Sequence, residues 1–259
     1  MDNLILKLVV TPALIGAATL VGRRWGQSIG GWLVGLPLTT GPVAFFIALD
    51  HGAAFAAAAV VGSLVGAIAE AAFSVAYGRS AARGGWPRSL LVGSVAYAAV
   101  AAVLQGLVLG PLLLFGLVIV ALIVALGLMP AGETAAVLAP PPPWDLPARM
   151  VLATAVVLVL TALAPRLGAR VSGLLATYPL FAAILTAFGH RLQGAGAAVS
   201  VLRGLLFGLF SFAAFCLVLA VGLVPLGIAG AFAAAIAVAL LVQGAALWRL
   251  RSPRIPGAP

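Results

Sequence analysis

The chain is short of almost everything that a water-facing surface is made from. Charged residues make up 7% of its 259 positions, whereas a soluble domain carries about 25%. So few charges cannot coat a surface in contact with water, and a soluble globular domain is excluded. Negative charge is scarcest: Asp2, Asp50, Glu70, Glu133 and Asp145 stand against 13 arginines and Lys7. The single cysteine, Cys216, excludes an internal disulfide and leaves the redox compartment unread. Two histidines, one cysteine and scattered acids offer no metal-ligand spacing, and no cofactor is implied. There is no G-x-S-x-G, H-E-x-x-H or P-loop, and no G-x-G-x-x-G opening a βαβ unit. An intramembrane hydrolase would need Ser94 or Ser211 beside His51 or His190, and no pattern joins them, so an enzyme is not the expectation.

What is abundant is apolar: 64% hydrophobic residues and a mean hydropathy of +1.25. The apolar runs are long and uninterrupted, which points to an all-α, polytopic transmembrane bundle rather than a barrel of alternating strands. The lipid bilayer is then the first partner. The net charge of +9 would suggest nucleic acid in a soluble protein. Here the arginines cluster between apolar runs (Arg23-Arg24, Arg79/Arg83/Arg88, Arg249/Arg251/Arg254), as cytoplasmic anchoring charges do, so no nucleic-acid partner is expected. Met1 to Val21 carries Asp2 and one lysine on an apolar run too long for a secretory core, and reads as a retained first span.

At about 20 apolar residues per crossing, spans are predicted at 4–22, 29–49, 53–77, 89–107, 108–128, 148–165, 172–189, 195–220 and 224–248. The block 89–128 divides at Gln105-Gly106, just before Pro111, and the block 195–248 at Gly222 to Pro225. Nine spans are expected; ten, with the last block split in three, is the alternative. Nine spans with the C-terminus inside put ten arginines on the cytoplasmic side, against Lys7, Arg166 and Arg170 outside. The organisation is a first membrane half (1–128), a Pro-rich linker (129–147), a second half (148–248) and a basic tail (249–259). Pro140 to Pro143 favour a semi-rigid polyproline II spacer.

The two halves share text. Shifted by 142 residues, Arg24 to Phe73 meets Arg166 to Phe215 with 16 identities in 50 ungapped positions, where composition alone gives roughly five. The matches include Gly26, Gly31, Pro37, Leu38, Gly52, Gly62, Gly66 and Phe73. Five spans before the second copy make the repeat inverted; a parallel repeat is the alternative and needs an even number. Gly31-xxx-Gly35, Gly62-xxx-Gly66 and Gly204-xxx-Gly208 are small-residue faces for close helix approach. The two copies' faces at Gly62/Gly66 and Gly204/Gly208 are expected to meet within one chain; a homodimer through them is the alternative.

The candidate site lies at the two prolines, Pro37 in Gly-Leu-Pro-Leu-Thr-Thr-Gly-Pro and Pro179 in Ala-Thr-Tyr-Pro-Leu-Phe-Ala-Ala. Each removes a backbone donor and breaks or kinks its helix. Broken helix in matching positions of two halves marks the binding site of many secondary transporters; a plain proline kink is the alternative. Thr39, Thr40, Thr177 and Tyr178 would supply hydroxyls, and exposed helix N-termini would favour an anionic ligand group. Glu70 is an acid inside an apolar span and needs a partner. Arg203, the other charge deep in an apolar block, is the expected one, by pairing or by sharing a polar cavity. Glu70 would then serve proton coupling or a substrate cation, or else the two form a structural ion pair. Asp50-His51 and His190-Arg191 fall in the turns after the two broken spans.

At Gly31-Trp-Leu-Val-Gly-Leu-Pro-Leu and again at Gly173-Leu-Leu-Ala-Thr-Tyr-Pro-Leu the chain resembles uncharacterised bacterial membrane proteins. These have a Gly-x-x-x-x-x-Pro-Leu segment followed by a Gly/Ala-rich span. Some of them resemble a single half, which implies a fused duplication. In size and two-half construction the chain is also similar to the drug/metabolite transporter superfamily, without a shared motif and without site residues to carry over. The expectation is a small secondary transporter or permease of the inner membrane for an unknown small-molecule substrate. A non-transporting scaffold or accessory subunit is the alternative.

Overall fold

The computed structural model describes residues 2–38, 40–107, 109–130 and 141–251. Among them there are nine helices and no strand. They are α1 (Asp2–Trp25), α2 (Gln27–Val34), α3 (Thr40–His51), α4 (Ala53–Ala81), α5 (Trp86–Leu104), α6 (Pro111–Leu128), α7 (Asp145–Ala176), α8 (Leu180–Gln193) and α9 (Ala195–Arg251). Four of them, α4, α5, α6 and α9, are long and apolar enough to cross a membrane.

Glycine sets the sharpest boundaries. Gly26 (φ 103°), Gly52 (φ 87°) and Gly194 (φ 86°) separate α1 from α2, α3 from α4 and α8 from α9. A side chain at these φ values would be strained, which is why the chain spends glycine there. The block 89–128 does divide at 105–110, with Pro111 opening α6 at a position whose N–H has no helical partner to lose.

The block 195–248 divides a little later than the sequence suggests. Pro225 stays helical, and the backbone leaves helical geometry at Gly227 (φ 69°). The two arms, 195–226 and 228–251, then fold back on one another. Ser211 donates to the Ala239 carbonyl at 2.8 Å, the Phe215 and Phe232 rings lie 6.2 Å apart, and Gly222 faces Ala231. The positions pair as an antiparallel hairpin.

Two further boundaries differ from expectation. A turn was expected between 165 and 172, but α7 is helical throughout 145–176 and the interruption falls at 177–179. Arginine is a good helix former, so a basic pair can mark a span's end without ending the helix. The segment expected as linker over 129–147 also gives up its last residues, because α7 starts at Asp145 and takes in Pro147. First-turn N–H groups have no helical acceptor, so a proline there costs little.

The bundle has one basic end. There Arg23 pairs with Asp145, Arg79 donates to the Leu128 carbonyl, and Arg191 stacks over Trp144. At the same end the Tyr77 hydroxyl meets His190 Nδ1 at 3.2 Å, and Gln27 donates to Gln193 at 2.9 Å. The end of α1 therefore meets the beginning of α7, and Gly16 further along faces Met150. The two helices are antiparallel.

The core runs along α4 and the first arm of α9, with Leu64, Phe73, Tyr77, Leu202, Leu209 and Leu219 almost fully buried. A second cluster around Ile15, Ala153, Leu185 and Val201 gathers Leu33 and Val34 with Leu180 and Phe181, the residues flanking the two breaks.

Candidate functional site

Both prolines sit in broken backbone, and the two breaks are built alike. At the first, Leu38 N–H turns back to the Leu36 carbonyl at 2.8 Å, and Gly41 N–H restarts the helix on the Pro37 carbonyl at 2.8 Å. At the second, Leu180 N–H bonds the Tyr178 carbonyl at 2.7 Å, and Ala183 N–H the Pro179 carbonyl at 2.8 Å. Pro179 has φ −75° and ψ 60°, the geometry of an inverse γ-turn. With the proline in its centre, that turn needs no donor from it.

The surroundings of the two breaks differ. The first is packed by glycine. A Cβ on Gly31 would lie 1.9 Å from the Val201 carbonyl oxygen, and one on Gly204 would lie 1.8 Å from that of Ser28. One on Gly35 would be 2.6 Å from the Gly208 Cα. The small face of Gly204 and Gly208 therefore meets Gly31 and Gly35 rather than Gly62 and Gly66. Where the proline interrupts α2, the Trp32 carbonyl is left for a side chain, and the buried amide of Gln243 donates to it at 3.0 Å. The Trp32 indole nitrogen and the Gln243 carbonyl oxygen are buried there without partners. Thr40 opens α3 at this break, half-buried. Thr39 lies outside the described residues.

The second break is lined with hydroxyls and rings. The Thr177 hydroxyl shares a 2.5 Å hydrogen bond with Tyr97, and the Tyr178 hydroxyl a 2.8 Å bond with Ser94. Tyr178 stands edge-on to Tyr97 at 5.3 Å and to Phe73 at 6.0 Å. Glycine makes the fit on both sides: Gly66 abuts Thr177, and Gly93 abuts the Phe73 ring. Ser94 and Tyr97 are three apart on α5 and so share a face. Glu70 lies one turn beyond Gly66 on α4, within electrostatic reach of Tyr97 and Cys216. It is partly accessible, and its carboxylate makes no hydrogen bond or ion pair with any described residue.

Of the residues singled out from sequence, Thr177, Tyr178 and Pro179 form this break, and Glu70 lies one helical turn from the contact of Gly66 with Thr177. Pro37 and Thr40 belong to the other, glycine-packed break. Arg203 is placed toward the basic end, where its guanidinium donates to the Pro130 carbonyl at 3.3 Å. Gly78, two turns past Glu70 on α4, abuts the neighbouring Met129. Among the described residues the ion pairs lie at the basic end: Asp145 accepts from Arg23 at 2.7 Å and from Arg149 at 2.8 Å. Arg149 also covers the Phe188 ring at 5.1 Å.

Ser94 and Tyr97 are the site residues that sequence reasoning did not assign. Their three-residue spacing, on the part of α5 beyond Ser89 that is otherwise apolar, was the available signal. Compared with protein-family models, curated proteins and solved structures, the chain has no match.

Proposed function

We propose that the chain is a small secondary transporter or permease of the bacterial inner membrane, with its substrate site at the second break. The observation that carries this is the pair of matching proline turns in two helices, one of them lined by polar side chains. Backbone broken within a membrane is tolerated where it faces protein or a wet cavity, and matched broken helices are where secondary transporters bind substrate.

The two halves are an inverted repeat. Under the 142-residue shift the contact of Gly35 with Gly208 becomes that of Thr177 with Gly66, and both contacts are present. Such exchange of partners is what a two-fold relation requires. Under the same shift α1 corresponds to the front of α7, and these two helices run antiparallel, which favours an inverted over a parallel relation. Tracing the basic end supports a reading with nine crossings. Trp144 and Arg191 meet there, so the chain between them leaves and returns, crossing twice. α1, the α2–α3 pair, α4, α5 and α6 add five, and the two arms of α9 add two. The basic end is cytoplasmic by the positive-inside rule and holds the C-terminal arm's end.

Transport is by one half rocking against the other, opening the second break to each side in turn. The test is ligand-dependent thermal stabilisation of the purified protein across metabolites and drugs, followed by flux into proteoliposomes. Stabilisation by one chemical class, with flux of the same compounds, is expected. No stabilisation and no flux would leave a non-transporting scaffold instead.

A further inference from the structure

We infer that the second break recognises a protonated amine, with Glu70 as its counter-charge; this rests on the transporter reading above. Glu70 is the one acid placed well inside a helix of the bundle among the described residues. Asp145 is at the basic end, and Asp50 sits near the end of α3. An acid within a membrane bundle is stable only with a partner or in a wet cavity. The arginines with described partners are engaged elsewhere: Arg203 on the Pro130 carbonyl, and Arg23 and Arg149 on Asp145 at the basic end.

Tyr97 lies within electrostatic reach of the carboxylate, Phe73 follows it by three residues on the same face of α4, and Tyr178 stands edge-on to both of those rings with its hydroxyl on Ser94. Aromatic rings attract a desolvated cation through their quadrupole. The carboxylate only accepts hydrogen bonds when ionised, and the hydroxyls can accept a further one. The wall therefore suits a ligand that is positive and rich in N–H donors. It does not suit the anionic group that helix N-termini would favour. The first N–H of α8, from Leu180, is already turned onto the Tyr178 carbonyl, and the carboxylate repels an anion.

The experiment uses the full-length protein in detergent and then in liposomes. Small primary amines, from methylamine to 2-phenylethylamine, are each matched with the neutral alcohol and the carboxylate of the same skeleton. Amines alone are expected to raise the melting temperature and to be taken up. Glu70→Gln is expected to weaken amine binding about tenfold or more, the weight of one charge-assisted hydrogen bond in a buried site. Tyr178→Phe is expected to weaken it less. Because wild-type selectivity is read first, the test survives even if Glu70→Gln fails to fold. Preference for alcohols or carboxylates would overturn the amine assignment while leaving a transporter. So would amine binding that Glu70→Gln leaves unchanged. Flux of no compound in any class would overturn both readings together.

Discussion

Asp145→Ala is the substitution with the clearest energetic consequence. Asp145 is fully buried, and each of its oxygens is taken by a different guanidinium, Arg23 at 2.7 Å and Arg149 at 2.8 Å. The Arg149 side chain is 2% exposed and the Arg23 side chain 28%. Removing the carboxylate therefore strands one buried charge and one that can reach solvent. Breaking a buried pair from one side costs about 3–5 kcal/mol, because the remaining charge has lost its compensation. Arg23→Ala leaves Asp145 its bond to Arg149 and removes a partly solvated partner, so about 1 kcal/mol or less is expected. The double variant Asp145→Ala/Arg149→Met should recover most of the loss, since it removes the stranded charge while keeping much of the volume. The assay is reversible unfolding in mixed detergent micelles, with all three variants measured against the wild type. Equal losses for Asp145→Ala and Arg23→Ala, or no recovery in the double variant, would refute the reasoning.

Three other substitutions follow from the packing. Gly204→Ala should cost about 2–3 kcal/mol or more through overpacking, since its Cβ would sit 1.8 Å from the backbone oxygen of Ser28. Gly62→Ala meets nothing within 4 Å and should be neutral or stabilising by up to about 1 kcal/mol, and thermal melts of the two compare them directly. Gln243→Leu takes away the donor to the Trp32 carbonyl and should cost about 1 kcal/mol in the same melts. Loss of the amide's own unpartnered oxygen offsets part of the penalty.

The breaks were legible in the sequence because their cause is local. A proline lacks an N–H wherever it sits, and Gly52 and Gly194 occupy positions where a side chain would be strained. The division at 105–110 was legible for the same reason, through Gly106 and Pro111. Partnership was not. Small-residue faces at Gly31/Gly35 and Gly204/Gly208 are each visible in the chain, but which face meets which depends on how the helices cross. The facing of α5 toward Tyr178 is likewise a long-range fact, so Ser94 and Tyr97 stood out only once Thr177 and Tyr178 were placed beside them. Glu70 and Arg203 were expected to pair or to share a polar cavity; among the described residues they form no ion pair, and the Arg203 guanidinium donates to the Pro130 carbonyl. Asp145 looked like linker because prolines precede it; in fact it opens α7 and holds two arginines.

Whether the second break borders water inside the membrane is decided by thiol accessibility. In a Cys216→Ala background, Thr177→Cys is compared with Phe46→Cys, whose parent ring is 53% exposed on the bundle's apolar surface. A membrane-impermeant, positively charged thiosulfonate should modify Thr177→Cys and spare Phe46→Cys, with the reaction slowed in Glu70→Gln. A Thr177→Cys thiol that stays unmodified from both sides of the membrane would contradict a solvated site at the break.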